Sequence, residues 1–179
     1  MSSEQATLKP PVSERDHAQG DASARITLVE YGDYECPHCA RAYPIVKRVQ
    51  KDLGADLRFV FRNFPLAQAH PNATAAARMA EAAALQGQFW PMHDLLYENQ
   101  DRLRDADLLS YAHRLRLDLP AVRTAFESDA IAERVRRDFT SGVRSGVNGT
   151  PTFFVNGVRF DGDWSRPHEF AKELRHFAE

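Results

Sequence analysis

Cys36 and Cys39 are the residues best placed by type and spacing to do chemistry, and they are the only two cysteines in the chain. They enclose Pro37 and His38 in the run Cys36-Pro37-His38-Cys39. A C-x-x-C pair has two common readings, a dithiol that alternates with a disulfide or half of a zinc site. A structural zinc site normally takes four Cys or His ligands. Here the missing ligands would have to be histidines, and His70, His93 and His113 are isolated, with no H-x₃₋₅-H spacing. A structural staple is also a weak reading, because so short a loop gains little chain-entropy stabilisation. Redox chemistry is therefore the stronger expectation, with a thiolate as the nucleophile of disulfide exchange.

The flanking elements determine which sulfur does what. Residues 25–31 read as a strand and Gly32–Glu35 as a loop. A helix is expected from about Cys36 to about Leu53, with Ala42, Ile45, Val46, Val49 and Leu53 at helical spacing and Gly54 as its stop. Residues 57–61 read as the next strand, which makes a β-α-β unit with a parallel pair. The cysteines then sit where a helix begins, and the amide groups and dipole there stabilise a thiolate. Cys36 is the expected attacking sulfur. Cys39, one turn further in, is expected to be more buried and to resolve the mixed disulfide. Pro37 is tolerated in a first turn. His38 is expected to tune the pair, since an imidazole beside Cys36 favours the thiolate and makes the disulfide more oxidising.

Beyond this unit come five expected helices: 73–86, with Asn72 as N-cap and Gly87 as stop, then 89–97, 105–115, 120–126 and 129–143. The stripe Ile131, Val135 and Phe139 reads as core packing. Thr152–Val155, the turn Asn156-Gly157 and Val158–Phe160 form a hairpin signature. A last helix over 166–177 carries Phe170, Leu174 and Phe177 on one face. The order β-α-β, helical block, β-β-α is a split thioredoxin-like pattern of the α/β class.

The chain has 179 residues, with 43% hydrophobic and 27% charged residues and a formal net charge of −2. That profile gives no reason to expect a nucleic-acid or membrane partner. No apolar run approaches the roughly 20 residues of a membrane span. Residues 1–22, polar and containing Pro10-Pro11 and Gly20, read as a flexible arm. They lack the basic and apolar regions of a secretory signal, so a cytoplasmic protein is expected, the alternative being an exported protein whose signal has been trimmed.

The segment Val29-Glu30-Tyr31-Gly32-Asp33-Tyr34-Glu35-Cys36-Pro37-His38-Cys39 resembles the active-site segment of the DsbA-like thiol oxidoreductases. Gly149-Thr150-Pro151-Thr152-Phe153-Phe154-Val155-Asn156-Gly157 resembles that family's cis-proline loop and hairpin. The resemblance implies a thioredoxin-like domain over 23–63 and 148–179, with an inserted α-helical domain over 64–147. It implies that Cys36 is the exposed nucleophile and Cys39 the resolving cysteine. Pro151 is then the cis-proline, and Thr150 touches substrate and shifts the potential. Glu30 matches the family's buried acid and would carry the proton of Cys39, although strand parity leaves its direction open. Pro44 matches a proline that bends the active-site helix. No cofactor is implied beyond the Cys36–Cys39 disulfide. The expected partners are protein or peptide disulfides or dithiols and an unidentified redox partner. A cytoplasmic setting would keep the pair largely reduced unless it is coupled to another oxidant. The alternative of a different class is a non-catalytic peptide-binding or chaperone module on the same fold.

Overall fold

The computed structural model describes residues 5–179. Its elements are β1 His17–Gln19, β2 Ile26–Gly32, α1 Pro37–Leu53, a 3₁₀ turn Gly54–Asp56, β3 Leu57–Asn63, α2 Ala73–Ala84, α3 Phe89–Glu98, α4 Asp105–Arg114, α5 Leu119–Phe126, α6 Asp129–Arg144, β4 Thr152–Val155, β5 Val158–Phe160 and α7 Pro167–His176. The strands form one sheet in the order β1-β3-β2-β4-β5. This is the expected α/β, thioredoxin-like architecture. Among the described residues no helix is long and apolar enough to cross a membrane.

The chain divides into two compact units. One contains the residues up to Gly32 with Arg41–Arg62 and Thr140–Glu179, and the other Asp33–Ala40 with Asn63–Phe139. In the first unit β2 and β3 are neighbours joined through α1, while β4 runs antiparallel to both β2 and β5. β2 and β4 are buried nearly throughout. A strand covered on both faces has no solvent side, so its apolar run is continuous rather than alternating. Val29, Tyr31, Phe61, Phe153, Phe154 and Phe170 fill this core. The hairpin turn is the one that Asn-Gly demands: Asn156 and Gly157 have φ of 47° and 83°. Phe177, expected on the buried face of α7, is 40% exposed, because α7 ends one residue earlier and leaves it at the frayed end.

The stretch 5–22, expected as a loose arm, is instead tied into the first unit; residues 1–4 lie outside the described residues. β1 pairs antiparallel with β3. Thr7 bridges to Val158, Leu8 N–H donates to the Gly157 carbonyl at 2.9 Å, and Leu8 is buried. This polar segment thus pairs the outer side of β3 and part of that of β5, and β1 becomes the outermost strand. Gly20 closes the connection after β1 at φ 94°, where an added Cβ would strike the Leu57 carbonyl oxygen. Gly20→Ala should therefore cost about 2 kcal/mol of stability, read as a lowered urea midpoint with an unchanged slope.

The second unit is helical. α2 packs against α3, α4 and α5. It buries Ala73, Ala76, Ala77, Ala80 and Ala83, small residues at helical spacing that let its neighbours approach closely. Met92, Leu96, Leu108 and Val122 complete the core. The buried carboxylates Glu81 and Asp138 share the Asn63 side-chain amide, at 2.8 and 3.1 Å, and Arg134 lies against both. Burial and the nearby Glu81 charge push the Asp138 carboxyl up, against the pull of Arg134 and the Asn63 amide.

Candidate active site

Cys36 is the residue immediately before α1, and its carbonyl accepts the first helical bond, from Ala40 N–H at 3.1 Å. Its own N–H donates to the Asp33 carbonyl at 3.1 Å. The sulfur therefore stands at the positive end of a 17-residue helix. Cys39 is 0% exposed, as its place inside the first turn leads one to expect. Cys36 is 4% exposed and so is not the exposed cysteine that the resemblance implied. The loop before it is held by Gln100, whose side-chain amide donates to the Tyr34 and Cys36 carbonyls at 3.1 and 2.7 Å. Pro37 and His38 are exposed.

The loop into Cys36 is built around two carboxylates. Asp33 is fully buried, and its Oδ1 accepts Glu35 N–H at 2.8 Å, an Asx turn. Its Oδ2 accepts Leu66 N–H at 2.9 Å and lies 2.8 Å from His70 Nδ1. Glu35 is gripped by Asn72, whose backbone N–H and side-chain amide donate to its two oxygens at 2.6 and 2.9 Å. Asn72 does occupy the N-cap position of α2, but its side chain makes no capping bond because it serves Glu35 instead. Burial works against charge on His70, yet the hydrogen bond to Asp33 and the charges of Asp33, Cys36 and Glu35 outweigh it and raise the imidazole above its ordinary 6.5. Tyr34 OH meets the buried His93 at 2.9 Å, within a cluster that includes Tyr97 and Trp90.

Asp33, Glu35, His70, Asn72 and Gln100 were not singled out from sequence as part of the site. The Asp-x-Glu spacing just before the cysteines was a usable signal for the Asx turn. Nothing local marks His70 or Gln100.

The remaining predicted residues belong to the first unit. Glu30 is buried, at 2% exposure, opposite Phe153. With both faces of β2 covered, strand parity no longer matters to its burial. The Thr150–Pro151 peptide bond is cis. Both residues are half-buried, and the turn is closed by Thr152 Oγ1 donating to the Gly149 carbonyl at 2.7 Å. Thr152 pairs with Tyr31, so the Pro151 turn lies beside the C-terminal end of β2. Pro44 lies inside α1. Among the described residues no group of three or more His, Cys, Asp or Glu side chains is arranged to hold a metal ion.

A dithiol at a helix start beside a five-stranded sheet is the arrangement of the thioredoxin-like class. The chain belongs to the thioredoxin family whose model, described as "Thioredoxin", matches residues 12–174. The fold is similar to that of BdbD from Bacillus subtilis, with a TM-score of 0.83 and 23% identity over 97% of this chain and 98% of that one. It is similar to a thioredoxin-like oxidoreductase from Silicibacter pomeroyi, at 0.78 and 25% identity over 92% and 94%. It is also similar to alpha-DsbA1 from Wolbachia pipientis, at 0.79 and 19% identity over 94% and 92%. Among curated proteins it is 48% identical over 158 residues, 88% of its length, to a Na(+)/H(+) antiporter NhaA of Salinispora tropica. The chain spans about a quarter of the length of the curated relatives it matches.

Proposed function

We propose that this chain is a thiol–disulfide oxidoreductase whose working group is Cys36–Cys39. The observation that carries the reading is the dithiol at the N-terminus of α1, with Cys36 as the cap residue and Cys39 fully buried behind it. Working as a reductant, the Cys36 thiolate attacks one sulfur of a substrate disulfide. A mixed disulfide forms and the other substrate sulfur leaves as a thiolate, which takes up a proton. Cys39 gives up its proton and attacks the Cys36 sulfur. The protein disulfide forms, the second substrate thiolate leaves, and two electrons have passed to substrate. The reverse sequence oxidises a substrate dithiol.

In this reading Glu30 takes the proton of Cys39, Thr150 and Pro151 bind extended substrate, and His38 and Pro37 shape the approach to Cys36. The substrates are protein or peptide disulfides and dithiols, and no metal or organic cofactor takes part. A cytoplasmic setting, the simplest one, favours the reductant direction. The proposal takes nothing from the ion transport named for the antiporter relatives, which share with this chain only the segment it spans.

Equilibration with glutathione or dithiothreitol buffers, with thiols counted by mass, tests it. A reversible two-electron couple is expected. A potential near about −120 mV would mark a strong oxidant and one near about −270 mV a reductant. No reversible couple at all would remove the reading.

A further inference from the structure

Two carboxylates flank Cys36 on the loop that leads into it, Asp33 and Glu35. Negative charge close to a thiol opposes its ionisation. Glu35 is held by Asn72, which carries no charge to offset it. Asp33 already has two backbone N–H donors, from Glu35 and Leu66, and needs no further partner to be satisfied. It nevertheless holds His70, whose side chain is 20% exposed against a carboxylate that is fully buried. The same Asp33 accepts the Cys36 N–H through its main-chain oxygen, so one residue links the imidazole to the cysteine. His38 carries the other nearby imidazole, but its side chain lies out in solvent.

We propose that His70, clamped by Asp33, is the positioning residue that supplies the cation for the Cys36 thiolate and thereby sets the pH range in which Cys36 is nucleophilic. The inference rests on reading Cys36 as the nucleophile. The charged groups facing His70 are Asp33, Glu35 and Cys36, and each of the three favours the imidazolium. Coupling between two titrating sites is reciprocal, so the imidazolium favours the Cys36 thiolate to the same extent. Below its raised titration point His70 is charged and balances one of the two carboxylates. As the pH rises through that point the cation is lost, and Cys36 is left beside Asp33 and Glu35 alone. The advantage is therefore greatest near neutral and mildly acidic pH and fades toward alkaline pH.

Two measurements test this. In the first, alkylation of Cys36 by iodoacetamide is followed against pH, with the site of attack located by mass. His70→Gln, which keeps a hydrogen-bonding side chain without the charge, should slow the reaction about fivefold near pH 6 and move the profile to higher pH. His38→Gln should move it less. In the second, the His70 ring protons are titrated by NMR in the reduced protein and in Cys36→Ser. The imidazole should titrate at lower pH in the serine variant. This readout leaves His70 intact, so it decides the matter even where His70→Gln does not fold. A superimposable alkylation profile, or a His70 titration unmoved by Cys36→Ser, overturns the proposal. Neither assay needs turnover. If both shifts appear and no disulfide couple is found, His70 keeps this role and the oxidoreductase reading falls.

Discussion

Cys36→Ser should abolish disulfide exchange, and Cys39→Ser should convert the protein into a trap for substrates that react with Cys36. The first variant should lower the rate of insulin reduction to the uncatalysed background, a loss of roughly a thousandfold or more. A serine oxygen neither ionises near neutral pH nor forms a bond to sulfur that exchanges. The second variant keeps the attacking sulfur at the end of α1 and removes the one that would release it. Mixed disulfides through Cys36 should then accumulate and be visible on a non-reducing gel. The asymmetry follows from position: Cys36 precedes the helix as its cap, whereas Cys39 is buried inside the first turn with 0% exposure. Traps forming through Cys39 in Cys36→Ser, and not the reverse, would exchange the two roles. Equal and complete inactivity of both variants with no trapped species would argue for a site that does not turn over.

Arg62→Met should destabilise the protein by about 3–5 kcal/mol, measured as the shift in urea-unfolding free energy. Arg62 on β3 is almost wholly buried. Its guanidinium donates to both oxygens of Asp16, at 2.8 and 3.0 Å, to Tyr31 OH at 2.9 Å and to the Pro10 and Pro11 carbonyls at 3.0 and 3.3 Å. Burial works against its charge, but the bonds and charges of Asp16 and Tyr31 more than offset that and keep it protonated. Methionine fills the volume and takes the guanidinium away from a buried carboxylate, two carbonyls and a hydroxyl, of which the carboxylate keeps Ser13 N–H and the hydroxyl keeps Ser141. The cost is that of orphaned partners rather than the net worth of the ion pair. Asp16→Leu combined with Arg62→Met should therefore cost less than the two single changes added together. Additive costs would show that the two side chains are not coupled in solution.

The parts of the fold that could be read in the sequence are those whose signals are local. The apolar spacing of α1, the Asn156-Gly157 turn and the alanine face of α2 each carry their geometry within a few residues. The cysteine pair was legible for the same reason, since position at a helix start follows from the strand, loop and helix around it. What escaped depends on partners distant in sequence. His17–Gln19 has no β-branched residue and no alternation, and it is a strand because Phe59–Phe61 offers it a ladder. Asn72 has the right type and place for a cap, yet its side chain is engaged with the Glu35 carboxylate and its oxygen accepts no bond from the helix start. His70 lies far from Asp33 along the chain and looked like a lone histidine. Glu30 seemed to depend on strand parity, and the covering of both faces of β2 removed that choice. Gln100, which holds the Tyr34 and Cys36 carbonyls, is announced by no pattern near the cysteines.

The segment before β2 deals with both rims of the sheet. Its residues 6–8 lie along β5 and its residues 17–19 along β3. One continuous strip of chain thus covers the outer side of β3 and part of that of β5, with β1 itself the outermost strand. A form shortened past Gln19 would bare the backbone ladders of β3 and β5 and leave the buried Arg62 without Asp16, Pro10 and Pro11.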